Sequence, residues 1–436
     1  MTVDQQRRPH VVVLGGGFGG LAAVHGLRGL PVDVTLIDRH AYNTFQPLLY
    51  QVATAGLNPG DITYFLRSVH QRQPNMRFSK GEVTHVDTTA KRVHLDADLS
   101  YDYDYLVVAT GVTTNYFGVP GAEEHALALY TRAQALRLRD RMFSDLERAV
   151  RRGQPRDLRV VVVGGGATGV EMAGTLAELR NGGAARLYPE LDADRMHITL
   201  VEMTDELLAP FSRRLRGYTR RALEGRGVQL RLGTTVKQVR PDGVVVDDGE
   251  LIEAGMVVWA SGIKAPDEIG GWGLPQGKAG RIEIGADLRV RGFDDVFAVG
   301  DIAIGPDALP QLAQPALQGG KHAARQIAQL LRGAPTTQFR YWDKGILATI
   351  GRSSAVAQIR HVPALTGFVA WVIWLFVHII SLLDNRNRIA TIANLSVRYL
   401  SWPRSYNAIV GEVETPPRAS NQSRGAREAH GRSRTR

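Results

Sequence analysis

Twice in this chain an apolar run breaks into the same spacing of glycines. The first is "HVVVLGGGFGGLAAVHGL", in which Val11 to Leu14 lead to Gly15-x-Gly17-x-x-Gly20 and on to Leu21, Ala22, Ala23 and Leu27. The second is "LRVVVVGGGATGVEMAGTLAEL", in which Val160 to Val163 lead to Gly164-x-Gly166-x-x-Gly169. An unbroken apolar run of this length fits a strand buried on both faces of a parallel sheet. Of the three glycines, the first permits a tight turn, the second lets the backbone approach a pyrophosphate, and the third allows close helix–strand packing. The helix N-terminus then faces the phosphates. Each unit also ends in an acid after a second apolar run, "VDVTLID" at Asp38 and "HITLVE" at Glu202. An acid there accepts hydrogen bonds from a ribose. Two fingerprints framed in this way predict two bound dinucleotides.

Glu202 also bears on the nucleotide. A carboxylate pairs with free ribose hydroxyls and repels a 2′-phosphate, and no arginine follows until Arg213. The second site is therefore expected to take NADH in preference to NADPH.

With 436 residues the chain has room for two or three domains of roughly 100–200 residues each. It contains no cysteine, which excludes disulfides, thiolate metal sites and cysteine-based redox chemistry. No metal site is expected. The opening "MTVDQQRRPH" has no apolar signal-peptide core, so catalytic domains on the cytoplasmic side are the simplest expectation. The formal net charge is +10, and Arg418 to Arg436 holds six arginines and one glutamate among small polar residues. Such a tail buries too little apolar surface to order itself and is expected to be disordered. Attraction to anionic lipid is the sharper alternative. Nucleic-acid binding is not expected, because the tail has no aromatic residue to stack on bases.

Further stretches extend the pattern. "YDYLVVATG" ends in Thr110 and Gly111, "VVWASG" echoes it and ends in Gly262, and "DDVFAVGDIA" carries Gly300 and Asp301. Together these resemble the two-dinucleotide flavoprotein reductases. The resemblance implies an α/β fold of two Rossmann-like dinucleotide-binding domains in the glutathione-reductase-like arrangement. It also implies FAD at the first fingerprint, NADH at the second, and Gly300–Asp301 against the ribityl–phosphate part of the flavin. The expected division is 8–118 and 285–335 for FAD, 119–284 for NADH, 336–411 for a C-terminal region and 412–436 for the tail.

Many members of that superfamily use a cysteine pair after the first fingerprint, and here the region reads "FQPLLYQVATAGLNPGDI", Phe45 to Ile62. That excludes disulfide reductases and sulfide:quinone reductases. The stretch resembles the type II NADH dehydrogenases, single-subunit NADH:quinone oxidoreductases that do not pump protons. "GATGVEMAG" (166–174), "AQPALQGG" (313–320) and "YWDKG" (341–345) agree with that family, whereas Ile346 and Leu347 depart from it.

The resemblance assigns roles within these motifs. Gln314 and Gln318 line a quinone pocket, Glu171 sits near the flavin–quinone junction where it binds or relays protons, and Lys344 is a pocket residue that hydrogen-bonds the headgroup or stabilises developing negative charge. Read from the residues alone, Gln314 and Gln318 are four apart and share a helix face. Pro315 suits the first helical position, so a helix from about Pro315 to Leu331 is expected, with its positive end toward the flavin. Gly319 and Gly320 would weaken that helix by about 1 kcal/mol each, so a backbone or the cofactor is expected to approach them closely. Glu171 is expected in the first turn of the second fingerprint helix.

A quinone substrate, menaquinone or ubiquinone, requires access to the bilayer. "ALTGFVAWVIWLFVHIISLL" (364–383) carries no formal charge and is about long enough to span. Trp371 and Trp374 fall in its middle, and a second apolar–basic stretch follows to Arg404. A helical anchoring region lying on the lipid surface over 364–404, at the cytoplasmic face of the membrane, is therefore expected, with a homodimer left open. Two other readings are a soluble reductase of a ferredoxin- or rubredoxin-type acceptor and a FAD/NADH-binding regulatory protein.

Overall fold

The computed structural model describes residues 7–151, 157–307 and 309–400. The basic tail and the end of the expected lipid-facing stretch, 401–404, lie outside the described residues.

The first sheet has five parallel strands in the order Val296–Ala298, Tyr105–Val108, His10–Leu14, Asp33–Asp38 and Met76–Lys80. The strand feeding the first fingerprint is its centre, and Val11 to Leu14 are fully buried there. Its edge strand arrives from far along the chain, after the second sheet is complete. That sheet is again parallel, ordered Ala126–Ala128, Met256–Trp259, Leu158–Val163, Met196–Val201 and Val228–Arg231. The fingerprint strand is once more central. Outgoing and returning connections run side by side, Thr113–Thr114 pairing antiparallel with Ile263–Lys264. Ala265, Ile269, Trp272 and Leu274 pack into the core of the first sheet, so that core takes in chain ahead of residue 285.

The fingerprint helices are α1 (Phe18–Gly26) and α2 (Ala167–Glu178). An arginine-rich helix, α3 (Arg213–Glu224), follows in the second unit, and α4 (Ala313–Leu330) returns to the first. Helices α1 and α4 cross at van der Waals contact of backbones. A Cβ on Gly320 would lie 2.1 Å from the Gly19 carbonyl oxygen, and one on Gly26 would lie 2.6 Å from the Ala324 Cβ. Close approach at Gly320 thus offsets its poor helix propensity, and the approaching group is backbone. At Gly319 a Cβ would make only an ordinary contact, 3.5 Å from Leu288.

The chain closes with a three-stranded antiparallel sheet, Ile346–Thr349, Ala355–Gln358 and Leu365–Thr366, then α5 (Gly367–Ser381) and α6 (Asn385–Leu400). Part of the uncharged 364–383 stretch is thus strand, and at 1.5 Å per residue the 15 residues of α5 span less than the roughly 30 Å hydrocarbon core. No helix among the described residues is long and apolar enough to cross a membrane. Helix α5 is two-sided: Ala370, Trp371 and Trp374 are buried, while Phe368, Val369, Val372, Phe376 and Ile380 are exposed. In α6, Asn387, Thr391 and Leu395 turn inward at a spacing of four, and Ile389 and Ile392 face out. Asn387 Nδ2 donates to the Thr63 carbonyl at 2.5 Å and Asn394 Nδ2 to Asp61 Oδ2 at 2.5 Å, tying α6 to the segment that follows the first fingerprint unit.

Candidate active site

The two nucleotide cradles are built alike. Gly15 and Gly164 have φ of 98° and 113°, in the region that only glycine adopts without strain. A Cβ on Gly20 would fall 1.8 Å from the Gly15 carbonyl oxygen, and one on Gly169 would fall 1.8 Å from that of Gly164. By contrast, the Cβ positions of Gly17 and Gly166 have nothing within 4 Å. These are the helix N-caps, and their open surroundings fit a pyrophosphate drawn to the first amides of α1 and α2. The acids complete each cradle in the same way. Gly16 N–H donates to Asp38 Oδ2 at 2.6 Å, and Gly165 N–H donates to Glu202 Oε2 at 2.6 Å. The second oxygens accept from His40 N–H at 2.7 Å and Thr204 N–H at 2.8 Å. Both carboxylates are therefore held in place by main chain, with lone pairs remaining for ribose hydroxyls.

Beside the first cradle stand the other expected flavin residues. Thr110 Oγ1 is buried and has no hydrogen-bond partner among the described residues, as expected of a group that serves a ligand. Gly111 follows at φ 71°, and its Cβ position is 3.8 Å from the Tyr130 hydroxyl. Burial pushes the Asp301 carboxyl up to about 6, against the pull of Arg281, whose Nε donates to the Asp301 carbonyl at 2.7 Å. The first turn of α4 touches both motifs: Ala316 Cβ is 3.2 Å from the Cβ position of Gly300, and Ala316 carbonyl oxygen is 3.5 Å from that of Gly19. The amide end of α4 thus reaches the first cradle. Gly262 differs from the rest. Its φ is 68°, and a Cβ there would lie 2.9 Å from the Asn115 carbonyl oxygen as well as against the Phe117 ring, so the interdomain connection also packs on that glycine.

Two local expectations need correction. Helix α4 begins at Ala313, so Pro315 is its third residue, not its first. No bond is lost, because the first four amides of a helix have no intrahelical acceptor. Helix α2 begins at Ala167, so Glu171 is the fifth residue and lies beyond the first turn. The dipole fades there, and burial decides its chemistry.

Glu171 is 8 % exposed, and burial pushes its carboxyl up to about 8. Thr349 N–H, 3.3 Å from Oε1, opposes that rise. The Trp374 indole opposes it too, being near enough to act on the carboxyl yet outside hydrogen-bond geometry. At neutral pH the group is therefore mostly protonated, beside Trp374 in the hydrophobic core that also holds Val170, Met172 and much of the Phe45–Ile62 segment. Rings gather there. His378 stacks on Trp374 with centroids 4.1 Å apart, and Phe45 meets His378 edge-on at 6.1 Å and Phe18 at 5.7 Å. Burial lowers His378 to about 4, so it is neutral.

The glutamines meet the other end of the same C-terminal segment. Gln318 Nε2 donates to the Trp342 carbonyl at 3.0 Å, and Trp342 N–H donates to Gln318 Oε1 at 3.0 Å. Its Nε2 also reaches Gln314 Oε1 at 3.5 Å. Gln318 thus holds the strand leader that begins at Trp342, while Glu171 receives its end at Thr349. Lys344 is exposed, with its ammonium 5.8 Å from the centroid of the Trp342 ring, which is itself 66 % exposed. Thr349, His378 and the inward role of Trp374 were not read from the sequence. The signal available was the spacing of four from Ala370 to Trp374 to His378, one face of a helix.

Residues 9–320 match the family described as pyridine nucleotide-disulphide oxidoreductase, and residues 343–401 match the NDH2 C-terminal domain. The chain is 36% identical over 429 residues to the type II NADH:quinone oxidoreductase Ndh of Mycobacterium tuberculosis, covering 94% of this chain and 92% of that protein. It is 32% identical over 371 residues to the type II NADH:quinone oxidoreductase of Staphylococcus haemolyticus, covering 80% and 90%. Among solved structures, NDH2 of Plasmodium falciparum in complex with NADH superposes with a TM-score of 0.84 at 20% identity, covering 90% and 98%. The sulfide:quinone oxidoreductase of Aquifex aeolicus superposes at 0.72 with 19% identity, covering 93% and 100%. The two structural likenesses speak for the fold.

Proposed function

We propose how this chain divides its work from one premise: it belongs to the type II NADH:quinone oxidoreductases. It is a flavoenzyme that oxidises NADH and reduces a quinone by two-electron transfer, without pumping protons. Bound FAD supplies the hydride and electron chemistry. The chain binds, orients and shields. Asp38 and the α1 amides would hold the ribose and pyrophosphate of FAD, with Thr110, Gly300 and Asp301 beside them. Glu202 and the α2 amides would hold NADH, and the Glu202 carboxylate disfavours the extra phosphate of NADPH.

Quinone reduction takes up two electrons and two protons, one proton more than the hydride supplies. Glu171 is assigned that proton. Protonated at neutral pH and walled by apolar rings, it can release a proton to a quinone oxygen and reload, which is the task of a general acid near its operating pH. Gln314 is assigned a hydrogen bond to a quinone carbonyl, Gln318 the placement of the 342–349 segment, and Lys344 a place at the pocket mouth. The buried, raised carboxyl of Glu171 on the back of the NADH-site helix carries this reading. Its test is the pH profile of quinone reduction, with NADH in excess. An alkaline limb near pH 8, absent in Glu171→Gln, is expected, and an identical profile in both proteins would refute the assignment.

The exposed apolar faces of α5 and α6 support docking on a lipid surface over 364–404, on the cytoplasmic side where NADH is available. Menaquinone or ubiquinone would enter from the bilayer. Co-sedimentation with vesicles tests the docking: Phe376→Ser with Ile389→Ser should release the enzyme into the supernatant. Sedimentation velocity of the lipid-free protein distinguishes a homodimer from a monomer.

A further inference from the structure

Helix α3 reads "RRLRGYTRRALE" and lies beside the C-terminal sheet, with Ser212 N–H donating to Gln358 Oε1 at 2.8 Å at its start. Two of its arginines are spent on ion pairs, Arg216 with Glu206 and Arg220 with Glu224. Arg221 has no ion pair among the described residues. It opens instead onto a cleft of about 470 Å³, shared with Tyr218, Arg226 and the hairpin tip Arg352, Ser353 and Ser354. None of the residues lining this cleft is acidic, and a carboxylate stands close by, that of Glu178, whose Oε2 accepts from the Arg352 N–H at 2.9 Å. Its parts are fixed. Tyr218 Oη and Ser354 Oγ are hydrogen-bonded at 3.0 Å, and Arg226 Nη1 donates to the Ala222 carbonyl at 2.9 Å.

The place of this cleft decides what it suits. The Tyr218 hydroxyl lies 3.5 Å from the Cβ position of Gly367, the first residue of α5. The next two residues, Phe368 and Val369, begin the exposed apolar face. Arg221, with Arg226 and Arg352 lining the same cleft, therefore lies at the edge of the surface assigned to the bilayer, at the level where headgroup phosphates lie when an apolar helix face is buried in acyl chains. Guanidinium and phosphate match as planar, bidentate partners.

We propose that this cleft seats the phosphate of an anionic phospholipid headgroup, so that the NADH-binding unit as well as the C-terminal helices is registered on the membrane. The inference rests on the lipid-docking reading above. The full-length enzyme is co-sedimented with vesicles of phosphatidylcholine, and with vesicles in which about 30 mol % is replaced by phosphatidylglycerol. Arg221→Gln with Arg352→Gln is expected to bind the anionic vesicles about tenfold more weakly than the parent and the neutral vesicles equally well. Arg213→Gln with Arg214→Gln, the same change of charge at the start of the helix that carries Arg221, is expected to lose far less. Where the double variant fails to fold, Arg221→Gln alone, on an exposed side chain, carries the test with about a threefold loss. Equal losses in both pairs would mean diffuse attraction and overturn the seat. So would stabilisation of the parent by inorganic phosphate that the cleft variant lacks, with no difference on vesicles, which would assign a soluble anion. A parent that binds neither vesicle refutes the docking reading itself, whereas one that binds both alike refutes only this inference.

Discussion

Helices α1 and α2 start from the same motif, meet the same kind of acid and leave the same open cap, yet the chain builds different things on their backs. Behind α1 lies α4, crossing it through Gly19, Gly26 and Gly320, so the amide end of α4 is brought to the first cradle. Behind α2 lies the C-terminal hairpin. A Cβ on Gly174 would fall 2.6 Å from the Ile350 carbonyl oxygen, and the strand that ends there delivers Thr349 to Glu171. The fingerprint thus leaves an open helix cap, and the glycines on the far side of its helix decide which element packs there. In the first unit that is a helix end brought to the first cradle, and in the second it is the hairpin that meets the buried acid Glu171, to which the quinone's proton is assigned above.

The comparison can be broken one side at a time. The largest effect is expected from Gly20→Ala, whose methyl would overlap the Gly15 carbonyl oxygen. The purified protein should contain no flavin and have no activity, as read by its visible absorbance. Gly169→Ala carries the same clash in the second unit. It should keep FAD but fail to reduce it with NADH, and equal flavin loss in both would show that the cradles are not separable.

Next in size is Glu202→Ala. Removing the acid at the second ribose should raise KM for NADH about tenfold and narrow the preference over NADPH, with FAD content unchanged. Gly174→Ala should destabilise by about 1–3 kcal/mol through overpacking against the hairpin, measured as a lower unfolding midpoint. It should slow quinone reduction more than flavin reduction, because the hairpin holds Thr349. The smallest effect is expected for Gln318→Ala. Freed of both bonds to Trp342, the leader segment should loosen, with quinone reduction reduced a few-fold and tryptophan fluorescence altered.

Glu171 also leaves a mark on stability. A carboxyl raised from its ordinary value to about 8 binds more protons in the folded than in the unfolded state across that window. Stability conferred by the neutral form is therefore lost as pH rises toward 8, and Glu171→Gln should remove that loss. A parent and variant whose unfolding midpoints fall in parallel between pH 5 and pH 9 would place the carboxyl in water.

The two glycine cradles were legible in the sequence because their geometry is local. Turn, helix cap and terminal acid all lie within one strand–helix–strand unit, and each glycine has one steric reason. The start of α4 was misplaced by two residues, since Leu312 offers no capping side chain to mark it. Less legible were partners that meet only in three dimensions. Nothing near Glu171 in the chain points to Thr349, which is 178 residues away. The uncharged run from Ala364 read as one apolar stretch because hydropathy does not distinguish the face of α5 that packs on the sheet from the face it exposes. Trp374 belongs to the first face. Gln318 was read as a pocket-lining amide, and its bonds to Trp342, 24 residues along the chain, had no local signal.

The account's central claim is that the two halves of the reaction rest on different parts of α2, with NADH at its open cap and the quinone at Glu171 on its buried face. Rapid mixing of Glu171→Gln tests it directly, first with NADH while flavin bleaching is followed, then with a short-chain quinone while the flavin colour returns. Bleaching at the parent's rate and recolouring slowed about a hundredfold are expected. Equal slowing of both phases, or of neither, would contradict the claim.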